Sequence, residues 1–279
     1  MRSIGDMICK RGRSSPLPAE IRHFLLLMAT AYYSPFSRLP GLRNEQPSMD
    51  RVSIVVPFYN EEDCVEFVLR EIRAAQPEAE VIAVDDGSKD RTWERMCSVE
   101  NITPLQLTQN RGQSGALYAG LMAAAGDILV MLDGDGQNDP ADIGALLTAM
   151  RSGSCDAAFG RRAKRKDSWS RRAASRIANQ VRRWFIQDGI RDTGCSLKAI
   201  HRDHVDLLVP FNGMHRFLPA IFTQAGFRIA EIDVNHRERK AGVSKYTNFD
   251  RALRGIYDLV GVCWLLKRKV ILPPLKTRE

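Results

Sequence analysis

From Arg51 to Leu132, short runs rich in β-branched residues alternate with helix-length amphipathic stretches, and this alternation constrains the fold more than any other feature of the chain. The runs are Val52–Val56, Val81–Val84, Leu105–Leu107 and Ile128–Leu132, and the spacing predicts helices across Cys64–Ala74, Arg91–Val99 and Ser114–Ala125 between them. Strands joined through a helix pair in parallel, because only a crossover of a dozen or more residues brings the chain back in the same direction. The predicted class is therefore α/β, a sheet with helices on both faces. Ligands of such sheets bind beyond the carboxyl ends of the strands.

Three of these strand ends are polar and fall on one edge. The first run continues into Pro57-Phe58-Tyr59-Asn60-Glu61, the second into Asp85-Asp86-Gly87-Ser88, and the fourth into Asp133-Gly134-Asp135-Gly136-Gln137. Tyr59 is suited to stacking on a base, and Asp85 to accepting hydrogen bonds from a base or ribose. Taken alone, Asp86-Gly87-Ser88 also reads as an ordinary turn. Asp133 and Asp135 can hold a divalent cation through oxygen ligands, and such a cation can hold a diphosphate. A calcium loop of the D-x-[DN]-x-[DN]-G-x5-E type is excluded, because the chain has Gln137, Asn138 and Gly144 where Asp or Asn, Gly and Glu are required. The structural alternative is that these acids only end a strand and start a helix, with Asp139 as N-cap and Pro140 at the first helical position.

The net charge of +8 has one source. From Arg161 to Arg191 there are eleven basic residues and two acidic ones, Asp167 and Asp188, so this segment accounts for the whole excess. A charge run is ordinarily a solvated helical face, but one this one-sided repels itself and points to a polyanionic partner such as phosphate, nucleic acid or an anionic membrane surface. Nucleic acid is the weakest of these: aromatic residues are sparse there (Trp169, Trp184, Phe185) and no nucleic-acid module is present. The six cysteines are scattered without a C-x-x-C pair and read as reduced core residues of a cytosolic protein. The histidines form no zinc-like spacing.

Residues 1–50 mix Arg, Ser and Pro around one short predicted helix near Glu20–Tyr32 and read as a basic extension, not a domain. Phe24–Ala29 is too short for a secretory signal, and no run reaches the roughly 20 apolar residues of a membrane span. Residues 247–279 form an amphipathic helix and tail, with Phe249, Leu253, Ile256, Val260, Cys263 and Leu266 at helical spacing before Lys267-Arg268-Lys269. Such a helix either closes the core or rests on anionic lipid.

Together these motifs resemble family-2 glycosyltransferases with the GT-A nucleotide-sugar fold and its mostly parallel central sheet. The matching residues are Val56-Pro57-Phe58-Tyr59-Asn60-Glu61, Val84-Asp85-Asp86-Gly87-Ser88, Asn110-Arg111-Gly112 and Asp133-x-Asp135, in that order. Within that family the chain is most similar to the polyprenyl phosphate sugar transferases, the group that includes dolichyl-phosphate mannose synthase. That likeness rests on Asp135-Gly136-Gln137-Asn138-Asp139-Pro140, Gly160-Arg161-Arg162, Asp192-Thr193-Gly194-Cys195 and Arg239-x-x-Gly242-x-Ser244-Lys245. It covers residues 51–246, which would form the glycosyltransferase domain.

The resemblance implies roles residue by residue. Pro57, Tyr59, Glu61 and Asp85, with Asp133 and Gly134, would bind the nucleotide-diphosphate sugar, GDP-mannose or a UDP-sugar. Asp133, Asp135 and Gln137 would arrange Mg²⁺ or Mn²⁺ on the donor diphosphate, as suits hard oxygen ligands. Arg162, Arg172, Arg239, Ser244 and Lys245 would hold the acceptor phosphate, with Asp135, Arg162, Arg239 and Lys245 closest to catalysis. A lipid monophosphate has its second pKa at about 6 and is already nucleophilic at neutral pH, so no general base is required. Direct displacement would invert the anomeric centre. The expected location is cytoplasmic, peripheral on the inner membrane face, with a membrane-spanning partner protein as a further means of anchoring. The alternative activity, transfer to a sugar hydroxyl, needs a carboxylate base, for which Asp192 is the candidate. A binder without turnover is disfavoured by the intact Asp133, Asp135 and Lys245. Two positions depart from the family pattern: Arg161 stands where Ser is usual, and Gly194-Cys195 where Ser-Gly-Phe is usual. Both bear on the acceptor or sugar pocket, so the sugar stays open.

Overall fold

A computed structural model describes residues 51–162, 189–237 and 248–268, which fall in one compact unit, Met49–Glu279. The predicted helix near Glu20–Tyr32 and most of the basic segment lie outside the described residues. In chain order the elements are β1 (Val52–Phe58), α1 (Val65–Ala75), β2 (Glu80–Asp85), α2 (Thr92–Cys97), β3 (Thr103–Gln106), α3 (Gly112–Ala123), β4 (Ile128–Met131), α4 (Ile143–Arg151), β5 (Ala157–Arg162), β6 (Lys198–His201), α5 (Leu218–Gln224), β7 (Ile229–Val234) and α6 (Asn248–Arg268).

The strands form one sheet in the order β3-β2-β1-β4-β6-β5-β7. β1 lies between β2 and β4 and is parallel to both, with Val56 opposite Ala83 and Val55 opposite Met131. The chain thus runs outward through β2 and β3 and returns to the other side of β1, which makes the β1–β4 junction a topological switch point. β6 is antiparallel to both β4 and β5, while β5 and β7 pair in parallel. The sheet is mostly parallel, as expected.

Side chains alternate across β1, as the period of 2 in a strand requires. Ile54, Val56 and Phe58 join Val65, Val68, Leu69 and Ile72 of α1 and Ile143, Leu146, Leu147 and Met150 of α4 in one buried cluster. Val55 joins the other, with Leu117 and Leu121 of α3, Ile221 and Phe222 of α5, and Leu259, Val262 and Leu266 of α6. Helices therefore cover both faces. α6 turns Leu259 and Val262 inward and leaves Val260 62% exposed. One side chain sits elsewhere than expected. Cys97 is exposed at the end of α2, whereas Cys64, Cys155 and Cys195 are buried; all four are free thiols.

Gly120 in α3 is set by packing. A Cβ there would lie 2.3 Å from Val55 Cγ1 and 3.0 Å from Val84 Cγ2, whereas a Cβ on Gly144 in α4 would meet nothing within 4 Å. Overpacking costs about 1–3 kcal/mol, more than the gain of up to about 1 kcal/mol from replacing a helical glycine by alanine. Gly120→Ala is therefore expected to lower the urea midpoint and Gly144→Ala to raise it. Shifts of the same sign in both would contradict this packing.

Candidate active site

The β1–β4 pairing brings the ends of these two strands into contact. Leu132 N donates to Val55 O at 3.1 Å, extending the ladder, and Cys64 Sγ donates to Gly134 O at 3.3 Å. A Cβ on Gly134 would lie 2.5 Å from the Phe58 ring and 2.7 Å from Pro57 O, so only glycine fits between the two aspartates. The ends of β1 and β2 are stitched in turn. Asn60 N donates to Ser88 Oγ at 2.9 Å, Lys89 N to Asn60 Oδ1 at 2.8 Å, and Glu61 N to Thr92 Oγ1 at 2.8 Å. Tyr59 and Glu61 are thereby held, half-buried, on the same edge as Asp133.

The neighbouring aspartates of β2 play different parts. Asp85 is fully buried, and its carboxylate accepts from Ser88 N at 3.1 Å, from Ser88 Oγ, and from Gln106 Nε2 at 2.9 Å. It fixes the residues around it from inside the protein. Asp86, also buried, accepts from Arg111 N at 2.7 Å, and Asn110 Nδ2 donates to Asp86 O at 3.2 Å. This ties the Asp86-Gly87-Ser88 turn to Asn110-Arg111-Gly112, where α3 begins. Burial pushes the Asp86 carboxyl up, the amides of Arg111 and Gly112 pull it down, and Asp85 adds a smaller upward push.

Asp133 is the electrostatic centre of the edge. Burial, and then the charge of Asp135, push its carboxyl up to about 6, against a hydrogen bond from Ser196 and the positive charges of Lys198 and Arg162. Gln113 Nε2, in the first turn of α3, donates to Asp133 Oδ1. Asp135 Oδ1 accepts from Gln137 N at 3.1 Å, closing the loop on itself. Asp139 accepts from Ala141 N at 3.1 Å and caps the single 3-10 turn Pro140–Asp142, as its sequence position predicts. Capping thus belongs to Asp139, and Asp133 and Asp135 are left as two neighbouring carboxylates of like charge, with Asp135 raising the cost of ionising Asp133. A cation relieves that repulsion, so the pair fits one. Among the described residues no group of three or more His, Cys, Asp or Glu side chains gathers for a metal, so other ligands would come from a bound diphosphate or water.

Gln113, Ser196 and Lys198 were not legible in the sequence. Lys198 is buried on β6, opposite Met131 of β4 and Phe159 of β5, and donates to Cys195 O. Burial holds its ammonium down, while Cys195, Asp133 and Asp192 favour the charge. Only the position of Gln113 directly after Asn110-Arg111-Gly112 offered a signal; Ser196 and Lys198 reach Asp133 through the antiparallel pairing of β6.

Arg162, at the end of β5, is gripped by Asp192. Arg162 N, Nε and Nη2 donate to Asp192 at 3.1, 2.8 and 2.8 Å, and Gly194 N adds a fourth bond at 3.2 Å. Both side chains are largely buried. The Asp192 carboxylate is thus committed to orienting a guanidinium. Pro57, Tyr59, Glu61, Asp85, Asp133, Gly134, Asp135 and Gln137 lie on the edge formed by β1, β2 and β4, with Arg162 beyond β6; Arg172, Arg239, Ser244 and Lys245 lie outside the described residues.

A second element braces α3 from behind. Ser114 Oγ accepts from Gly213 N at 2.9 Å and sits 2.8 Å from His215 Nδ1. Which of the two donates depends on the imidazole tautomer, and a neutral imidazole serves either way. Burial pushes His215 down to about 3, with Arg216 and Lys198 acting in the same direction.

The profile of the family described as Glycosyl transferase family 2 matches residues 53–208. The undecaprenyl-phosphate 4-deoxy-4-formamido-L-arabinose transferase of Proteus mirabilis is 34% identical over 221 residues, covering 76% of this chain and 67% of that protein. The protein of the same name from Yersinia enterocolitica is 34% identical over 227 residues, covering 78% and 68%. Among solved structures, glucosyl-3-phosphoglycerate synthase from Mycobacterium tuberculosis in complex with Mn²⁺, UDP-glucose and glycerol 3-phosphate has a TM-score of 0.61 at 20% identity, over 78% of this chain and 79% of that one. At that identity the likeness concerns the fold.

A neutral His215 carries a pH signature. With the folded pKa at about 3 and the unfolded pKa at its ordinary 6.5, the unfolded chain binds more protons between those values. The contribution is complete above the unfolded pKa and declines as pH falls toward the folded one, by up to about 1.4 kcal/mol per pH unit. Urea midpoints at pH 5 and pH 7 are expected to differ less in His215→Asn than in the unsubstituted protein. An identical difference in both would show that His215 is not held neutral.

Proposed function

The chain belongs to glycosyl transferase family 2, and on that premise we propose that it moves a sugar from a nucleoside diphosphate to a polyprenyl phosphate, inverting the anomeric centre. The observation that carries this reading is the commitment of Asp192. Transfer to a hydroxyl requires a carboxylate to take its proton, and the carboxylate best placed in the sequence for that task is engaged by Arg162 N, Nε and Nη2 and by Gly194 N. A phosphate acceptor has no such requirement. The shared name of the relatives, undecaprenyl-phosphate 4-deoxy-4-formamido-L-arabinose transferase, supports the same acceptor class and favours a 4-formamido pentose over mannose as the sugar.

In this reading Tyr59, Glu61 and the Asp85-organised turn receive the nucleoside, and Asp133 and Asp135, with Gln137 beside them, hold Mg²⁺ or Mn²⁺. The cation supplies neutralisation of the charge that builds on the departing diphosphate. Arg162, fixed by Asp192, presents its guanidinium toward phosphate, and Arg172, Arg239, Ser244 and Lys245 complete the acceptor site. One lipid phosphate oxygen bonds to the anomeric carbon as the bond from that carbon to the diphosphate oxygen breaks, and the electron pair leaves with the nucleoside diphosphate. No proton moves in this step. The arginines lower the repulsion between two anions and hold the attacking oxygen in line.

The acceptor places the enzyme at a membrane, and α6 offers the surface. Among the described residues no helix is long and apolar enough to cross a bilayer. Tyr257, Val260 and Trp264, spaced three and four residues apart, form an outward stripe 82%, 62% and 64% exposed, followed by exposed Lys267 and Arg268. Apolar and aromatic residues beside basic ones suit the headgroup layer of an anionic membrane. We place the protein peripherally on the cytoplasmic face, where a membrane-spanning partner would add to this contact without replacing it.

With Mn²⁺ or Mg²⁺, a panel of labelled nucleotide sugars and undecaprenyl phosphate, label is expected to enter the organic phase for one donor and to be lost by at least 100-fold in Asp135→Ala, about the effect of removing several kcal/mol of transition-state stabilisation. Transfer that persists in the variant would remove Asp135 from catalysis. Replacing both Tyr257 and Trp264 by Ala is expected to weaken binding to anionic vesicles by about 10-fold or more while leaving the urea midpoint near its original value, since exposed substitutions cost within about 0.5 kcal/mol. Unchanged vesicle binding would rule out this stripe as the contact.

A further inference from the structure

After β7 the chain passes through Asn235-His236-Arg237, and these residues bind the loop that carries the candidate cation ligands. Asn138 and His236 form an isolated antiparallel bridge, and Arg237 N donates to Gln137 O at 2.8 Å. Asn235 donates to Asp142 from its backbone at 2.6 Å and from its side-chain amide at 3.2 Å. The Arg237 guanidinium extends the contact in two directions. Nη1 donates to both carboxylate oxygens of Glu71 on α1, each at 2.9 Å, and Nη2 lies 2.7 Å from Asp139 Oδ1.

One side chain therefore joins three parts of the site. Glu71 belongs to the helix that follows Tyr59 and Glu61, Asp139 and Gln137 belong to the loop after Asp133 and Asp135, and Arg237 itself stands two residues before Arg239. The cluster adds little to fold stability: the side chains of Arg237, Glu71 and Asp139 are 31%, 29% and 20% exposed, and ion pairs in contact with water contribute little. Its geometric effect is larger. Glu71 is received by one arm of the guanidinium and Asp139 by the other, which fixes the spacing between α1 and the loop.

We propose that Arg237 is a positioning residue for the cation-binding loop: it holds the turn from Asp135 to Asp139 against α1, so that the loop keeps one conformation before the donor diphosphate binds. The inference rests on the reading of Asp133–Gln137 as the cation site. Groups that orient metal ligands from behind typically change metal affinity or activity by about 10–100-fold when lost. No motif marks Arg237 for this part, because Glu71 lies far from it in sequence and the contact exists only in the fold.

Hydrogen exchange on the metal-free protein tests the loop directly, and Mn²⁺ titration in the presence of UDP or GDP, followed by the electron spin resonance of free Mn²⁺, tests the ligands. For Arg237→Ala the expected result is faster exchange confined to the 133–139 segment and a Mn²⁺ half-saturation raised by about 10-fold, with the urea midpoint unchanged. Arg237→Lys, which keeps the charge and loses the fork, should fall between, and Glu71→Gln should shift both readouts in the same direction should Arg237→Ala fold poorly. Unchanged exchange and Mn²⁺ half-saturation in these variants, or exchange accelerated evenly across the sheet, would overturn the proposal. Absence of Mn²⁺ binding by the unsubstituted protein would overturn the cation reading and the inference with it, whereas normal binding with unaltered variants would overturn the inference alone.

Discussion

Everything in the site depends on the parallel pairing of β1 with β4. The register from Val52–Ile128 to Val55–Met131 places the ends of two strands, far apart in sequence, in van der Waals contact, and Gly134 is the residue that permits it. Were the strands slipped by one residue, every inward side chain of β4 would turn to the opposite face and the aspartates with them. The two buried clusters make such a slip costly, because Ile54 and Val55 are locked into different helical layers. The site inherits its precision from the core.

On that frame the charges divide into two groups. Asp133 and Asp135 are neighbours of like sign, enclosed enough that Asp133 is pushed up to about 6, while Lys198 and Arg162 supply positive charge from the β6–β5 side. Asp192 belongs to the second group by location and serves it, since it spends its oxygens on Arg162. The result is an edge that favours a cation next to the β1–β4 junction and holds an oriented guanidinium beyond it. That division suits a reaction between two phosphates, in which one must leave and the other must approach.

The first half of this arrangement was legible in the sequence because there the chain spells it locally. Apolar runs end in polar residues at β1, β2 and β4, and the alternation with helices implies that these ends share an edge. The second half was not. β5 and β7 carry Arg161, Arg162, Glu231 and Asp233, so their hydrophobic signal is weak, and the reversed β6 breaks the alternation that guided the rest. Which apolar residues of α6 turn inward is decided only in the fold, where Leu259, Val262 and Leu266 join the cluster that holds Val55 and Val260 stays exposed. Asp85 showed its position but not its enclosure, which depends on Ser88 and Gln106 from neighbouring segments.

The central claim is that the acceptor atom is a phosphate oxygen and that it displaces the nucleoside diphosphate directly. The most direct measurement is nuclear magnetic resonance of the purified lipid product formed from a donor labelled with ¹³C at the anomeric carbon. The account predicts coupling between that carbon and the lipid phosphorus, with the anomeric configuration opposite to that of the donor. A product that retains the donor configuration, or whose anomeric carbon is coupled to no phosphorus, would contradict it.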